Sequence, residues 1–273
     1  MDCPACISNL PLPLVELEKK LGKSDAARVW QRSAQSVQSL HDRIIDLAIP
    51  CDFEERSTLY LPGNTLNVTD LKQEAQARLK LGSRSRFIGR AELFAMGGIQ
   101  KAGAIYTKGN AEADPLKLVA GLWRHFLKRG GQMMANVEIA EVEQSQSQVR
   151  LKTAGGDTIF AKHVVFCTGY ELTKFAQPKG YKVISTYVLA TKPQPSKLWK
   201  SKSLIWEAAD PYLYLRTTKD GRIIVGGEDE PFSDSGKRDF LLPKKIAAIA
   251  RKATKLMPDV DFSAEFSWAG MFW

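Results

Sequence analysis

Between Leu204 and Asp229 the chain reads LIWEAADPYLYLRTTKDGRIIVGGED. Three runs in it, Leu204 to Glu207, Tyr212 to Thr217 and Arg222 to Val225, have the short β-branched and aromatic character of strands. Lys219-Asp220-Gly221 between the last two has the composition of a hairpin turn, with glycine free to take a positive φ. The stretch therefore specifies antiparallel sheet, and the long alternating run Val183 to Thr191 just upstream adds a further strand. Arg216 sits inside the alternation. A buried guanidinium needs partners, so Arg216 is expected to face a cavity or the sheet's interior with its charge paired.

Further toward the N-terminus the pattern changes. Val164-Val165-Phe166-Cys167 is a continuous apolar run ending in Thr168-Gly169, which suits a strand buried on both faces of a parallel sheet. A strand ending in a small residue and glycine lets backbone approach a pyrophosphate; it is equally the mark of an ordinary turn. Before it, Gln132 to Ala135, Val137 to Val142, Val149 to Thr153 and Thr158 to Ala161 read as strands, with Gly155-Gly156-Asp157 as a turn. These follow the clearest helix, Asp114 to Lys128. Asp114 caps it, Pro115 takes the first helical position, Leu118, Val119, Leu122 and Phe126 line one face, and Gly130-Gly131 closes it.

Nearer the start, Ser24 to Ala48 is helical, capped by Ser24 or Asp25. Trp30, Ser33, Val37, Leu40, Ile44 and Leu47 share its apolar face. Thr58 to Leu61 reads as a short strand and Thr69 to Leu81 as a helix capped by Thr69; the Gly-rich stretch from there to Asn110 holds short strands whose positions stay open. At the other end Pro243 opens a helix and Phe262 to Trp268 forms a last strand. The switch after Gly169 from a βα-like block to alternating strands predicts an α+β or α/β protein of two interleaved parts.

The 273 residues carry a net charge of +9. The basic residues are scattered rather than clustered with aromatics, so no nucleic-acid partner is expected. No run reaches the length of a membrane span, and Met1-Asp2-Cys3-Pro4 lacks the basic and apolar regions of a signal peptide. Four cysteines in such a chain imply reduced thiols and a cytoplasmic location. Cys3-Pro4-Ala5-Cys6 has no preceding strand and no second pair, so it is read as incidental spacing. His41, His125 and His163 show no metal-ligand spacing. There is no G-x-S-x-G, no phosphate-binding P-loop and no G-x-G-x-x-G.

The order of motifs resembles the FAD-dependent oxidoreductase family that includes D-amino-acid oxidase, glycine oxidase and sarcosine oxidase, nearest to its gamma-glutamylputrescine oxidase-like members. The likeness rests on Gly109, Asp114-Pro115, Leu118, Leu122, Gly130, Val137 and Val164 to Tyr170. It rests more specifically on Trp206-Glu207, Pro211-Tyr212, Tyr214, Arg216-Thr217-Thr218, Asp220-Gly221-Arg222, Gly226-Gly227-Glu228-Asp229 and Trp268-Ala269-Gly270. The resemblance implies FAD as cofactor, a small amine or amino acid as substrate, and oxidation of its C–N bond by hydride transfer to the flavin.

It further implies that Val137, Cys167, Thr168 and Gly169 lie on the adenine and pyrophosphate side, and that Tyr212, Tyr214 and Arg216 lie on the sheet over the substrate cavity. Those three are otherwise alternating sheet residues with no ligand. Residues 1–50, 110–175 and 262–273 then belong to a partial, Rossmann-like FAD-binding domain, and 51–109 and 176–261 to a mostly antiparallel substrate domain. The family also has a first strand with G-x-G-x-x-G and a segment after W-A-G that these residues do not contain. An incomplete segment is therefore expected: one that binds FAD poorly, lacks activity alone and self-associates through an open sheet edge. Met271, Phe272 and Trp273 stand where the resemblance to glycine oxidase-like enzymes implies an arginine for a substrate carboxylate; that either weakens an amino-acid substrate and leaves an amine, or reflects the end of the segment. The contrasting readings are a non-catalytic copy without flavin and, behind it, a basic module that binds nucleic acid.

Overall fold

A computed structural model describes residues 5–7, 12–170, 177 and 180–272. The chain divides into two compact units, one of residues up to Gly121 together with those from Lys182 onward, the other Leu122–Tyr181.

The first unit is built on a large sheet. In chain order its strands are β1 (Ala5–Ile7), β2 (Glu54–Pro62), β3 (Ser85–Gly89), β4 (Gly103–Ala113), β8 (Ile184–Thr191), β9 (Leu204–Ala208), β10 (Leu213–Thr217), β11 (Ile223–Glu230) and β12 (Ala264–Phe272). Among the described residues they lie in the order β1-β4-β2-β9-β10-β11-β8-β12, with β3 also on β4. Every pairing is antiparallel except β2 with β9, where Thr58 to Pro62 run alongside Leu204 to Ala208. Strands expected at 183–191, 212–217 and 222–225 thus share one sheet, and the hairpin turn forms as read: Thr218 N–H donates to the Arg222 carbonyl at 2.9 Å, and Gly221 has φ +85°.

Helices cover both faces. On one, Ile249, Ala253 and Leu256 of α6 (Ser235–Leu256) pack on Leu59, Leu61, Leu189, Leu213, Leu215 and Val225. Each such fully buried aliphatic side chain is worth about 1.5–3 kcal/mol. Lys245 of the same helix reaches Glu230 at 2.7 Å and Glu228 at 3.6 Å, tying α6 to β11. On the other face, Leu71 and Ala75 of α3 (Val68–Lys80) pack on Tyr60, Ile105 and Ala208. Glu74 of α3 is buried and does three jobs: it accepts Leu14 N–H at 2.8 Å, Val15 N–H at 2.9 Å and Arg78 Nε at 2.7 Å. It thereby satisfies the first turn of α1 (Leu14–Leu21), whose own N-cap position, Pro13, makes no side-chain cap.

The long helix expected at 24–48 is α2 (Lys23–Asp46); Trp30, Ser33, Val37, Leu40 and Ile44 lie on its buried or half-buried face, and Leu47 is its C-cap residue. Its N-cap is Gly22 with no capping side chain, not Ser24 or Asp25. Asn67 rather than Thr69 caps α3, through a reciprocal box with Asp70. Pro243 lies inside α6, which is capped by Asp234 and starts at Ser235, eight residues before the expected start. Beside β3, α4 (Arg90–Gly97) fills the stretch that the sequence left unplaced.

Asp114 caps α5 (Pro115–Lys128) as read, accepting Lys117 N–H at 3.0 Å. Of the face expected to bury, Val119, Leu122 and Phe126 stay exposed. The second unit holds a three-stranded antiparallel sheet, β5 (Ile139–Gln144), β6 (Val149–Thr153) and β7 (Thr158–Ala161). No strand forms at 132–135. Val164 to Cys167 is not a strand either, and Val165 is 83% exposed. An apolar run becomes a buried strand only when neighbours on both edges take its N–H and C=O groups, and no described strand pairs with this one. Cys3 and Pro4 of the C-x-x-C lie outside the described residues, as does Trp273.

Candidate functional site

Register brings one row of side chains together on the sheet face opposite α6. Tyr60 stands beside Trp206, Trp206 beside Tyr214, Tyr214 beside Gly226, Gly226 beside Val188, and Val188 beside Trp268. Facing strands place paired residues on the same side, so six strands contribute to one aromatic face. Trp206, Tyr214 and Trp268 are half-buried, whereas Val188, Ala190 and Ile224 on the same face are buried.

Glycine makes this geometry possible. A Cβ on Gly226 would meet the Tyr214 ring at 2.1 Å, so the ring lies flat across the bare backbone. Gly227, with φ +140°, approaches the Tyr212 carbonyl so closely that a Cβ would stand 2.0 Å from it. Tyr212 and Tyr214 have ring centroids 6.1 Å apart. Arg216, one row further along the same face beside Ile224, is buried at 2% exposure, as its place in the alternation predicts.

The sequence reading passed over two residues here, Asp229 and Thr186. Burial raises the Asp229 carboxyl pKa, and the hydroxyls of Thr186 and Tyr212 against it oppose the rise. Burial pushes the Tyr212 phenol well up, and the Asp229 charge beside it adds to the effect. Asp229 Oδ1 and Thr186 Oγ1 are buried and make no hydrogen bond of good geometry. The G-G-E-D stretch was visible, but simple alternation could not say which acid faces the aromatics. Glu228 adopts φ +58° and the pairing slips between Gly227 and Glu230, so the two-residue period breaks at that point.

The four residues expected on the adenine and pyrophosphate side are in the second unit, and all are exposed: Val137, Cys167, Thr168 and Gly169. Gly169 has φ +62°, and a Cβ built on it would meet nothing within 4 Å. They do not by themselves form a cradle that fits FAD.

The sheet thus presents a half-buried aromatic face on one side and a helix-backed core on the other. Residues 11–272 match the model of the FAD dependent oxidoreductase (DAO) family, and the chain belongs to that family, whose cofactor is FAD. Glycine oxidase from Geobacillus kaustophilus shares the fold with a TM-score of 0.71 at 20% identity, covering 97% of this chain and 68% of that one. L-proline dehydrogenase from P. horikoshii gives 0.70 at 16% identity, covering 87% and 65%. A curated relative, the probable oxidoreductase OrdL of Rhizobium meliloti, is 24% identical over 170 residues. That match takes in 59% of this chain and 37% of the relative's length. No helix among the described residues is long and apolar enough to cross a membrane.

Proposed function

We propose that this chain provides the substrate-side sheet of a FAD-dependent oxidoreductase that oxidises the C–N bond of a small amine or amino acid. One observation carries the reading: the row Trp206, Tyr214 and Trp268, half-open to the outside and backed by buried aliphatics, on strands of a member of this family. Aromatic walls with few polar groups suit a small organic substrate, which they desolvate and orient. In this reading Tyr212, Tyr214 and Arg216 contact substrate, and Val137, Cys167, Thr168 and Gly169 contact the adenine and pyrophosphate side of FAD once the rest of that site is supplied. The domain division at 1–50, 110–175 and 262–273 against 51–109 and 176–261 goes with it, as does a cytoplasmic location. Exposure of Val165 within the unpaired run Val164 to Cys167 supports self-association of the isolated chain. Exposure of the FAD-side residues favours one other reading, a chain that keeps the fold without the activity.

The test is anaerobic bleaching of flavin absorbance by simple amines and amino acids, alongside quenching of tryptophan fluorescence by the same compounds. Substrate-dependent bleaching that is lost in Tyr214→Ala, with quenching that is lost in Trp206→Phe, supports the proposal. Flavin-loaded protein that neither class of compound bleaches overturns it.

A further inference from the structure

A cavity beside β4 shares no lining residue with the aromatic row. It has a volume of about 460 Å³, within the range of small-molecule sites. Its wall is aromatic: Trp30 is buried at its base, and His41 of α2 stacks on Phe53 with centroids 4.6 Å apart and planes 12° from parallel.

Its floor is a break in strand pairing. On the outer edge of β4, β3 pairs up to Thr107 and β1 begins at Ala111. The backbone between them turns through Gly109 at φ +89°. A Cβ on Gly109 would stand 2.8 Å from Arg84 Nη2, so the missing side chain is what lets the guanidinium lie across the floor. Lys108 flanks it, and its N–H is held by the Arg84 carbonyl at 3.2 Å. Neither Arg84 nor Lys108, both exposed, makes an ion pair among the described residues. Glu55 is the one acid among the lining residues, so the cavity carries an excess of one positive charge.

We propose that this cavity is a second ligand site, taking a planar monoanion of the aromatic carboxylate class. The carboxylate is held by the Arg84 fork with Lys108 beside it, and the ring lies against Trp30 and the His41–Phe53 pair. A guanidinium presents two parallel donors that match a carboxylate, and its plane suits a flat ligand above it. The excess of one charge argues against a dianion, and the aromatic wall against a bare inorganic ion. The site stands apart from the proposed oxidation chemistry and does not rest on it.

The test uses the full 273-residue protein and 2-naphthoate as probe, followed by calorimetry and by probe fluorescence. Saturable one-to-one binding is expected. Arg84→Ala should weaken it by about tenfold or more, with Arg84→Lys intermediate, because a charge-assisted bidentate pair is lost. The neutral analogue 2-naphthylmethanol should bind at least about tenfold more weakly than the acid, by the same reasoning. Gly109→Ala should also weaken binding by displacing the guanidinium; since positive φ strains that variant, Arg84→Ala with an unchanged circular dichroism spectrum is the deciding one. Binding that persists in Tyr214→Ala assigns the probe to this cavity. Absence of saturable binding in the wild type, unchanged affinity in Arg84→Ala, or loss of binding in Tyr214→Ala overturns the proposal.

Discussion

Replacing Gly226 by alanine tests the geometry of the aromatic face directly. The new Cβ would stand 2.1 Å from Tyr214 Cζ and 2.6 Å from Cε1. Carbon atoms rest at roughly 3.5–4.0 Å, so the ring must retreat by more than about 1 Å or lift off the sheet. Backbone is not the obstacle, since Gly226 lies in a regular pairing with Tyr214 and Val188 and its φ is not in the left-handed region. The cost is therefore one of overpacking, about 1–3 kcal/mol. In a protein of this size that lowers the melting temperature by roughly 2–4 °C per kcal/mol. The assay is thermal and urea unfolding of Gly226→Ala, Tyr214→Leu and the double variant. Because the clash needs the ring, the double variant should recover most of the loss, giving a coupling of about 1 kcal/mol or more between positions in contact. Additive effects, or an unperturbed Gly226→Ala, would refute the idea that this glycine exists to seat Tyr214.

Glu74→Ala should destabilise by about 3–5 kcal/mol in urea titration, since it strands the buried Arg78 charge and uncaps α1; Glu74→Gln, which keeps an acceptor, should lose clearly less. Lys117 and Lys219 hydrogen-bond the Asp52 carboxylate and lower its pKa to about 2. Its folded value lies below the unfolded one, so the stabilisation is present above the ordinary carboxylate range and is lost as pH falls toward 2. At 41% side-chain exposure it amounts to less than about 1 kcal/mol, read as a gap in urea midpoint between wild type and Asp52→Asn that closes at low pH. Val165→Lys should leave stability within about 0.5 kcal/mol and reduce self-association in sedimentation velocity, because that side chain is 83% exposed.

What could be read from the chain alone depended on whether the signal was local. The hairpin at Lys219 to Gly221, the cap at Asp114 and the apolar face of α2 are each decided within a few residues, and each was legible. Caps were misplaced where two candidates stood close together: Asn67 won over Thr69 because Asp70, three residues on, returns its hydrogen bond. Val164 to Cys167 failed for the opposite reason. Its apolar run states what a strand could do, but a strand exists only with neighbours, and those are not local. In the site, period two places Tyr214 and Arg216 on one face of β10, and Tyr212 stands just before that strand with its ring 6.1 Å from Tyr214's; only the family resemblance suggested them as substrate contacts. Asp229 was hidden by the slip at Gly227, and nothing in the composition of the 81–111 stretch announces that Arg84 would lie over Gly109.

The parallel pairing of β2 with β9 has a consequence for how the molecule comes into being. Strands β1 to β4 come from the first 113 residues and β8 to β12 from 184 onward, and the seam joins positions as far apart as Ser57 and Ser203, separated by 146 residues. Each half can zip up its own neighbouring pairings early, but the interior beneath α6 closes only when the two ribbons find each other. That late, long-range search should set the pace of folding. The stretch between the halves acts at this step as a tether, whose closure entropy grows only with the logarithm of its length, by about 0.6 kcal/mol per doubling. Residues 122–181 can therefore lengthen or shorten over generations with little penalty to the sheet, leaving that stretch open to change while the seam holds its register.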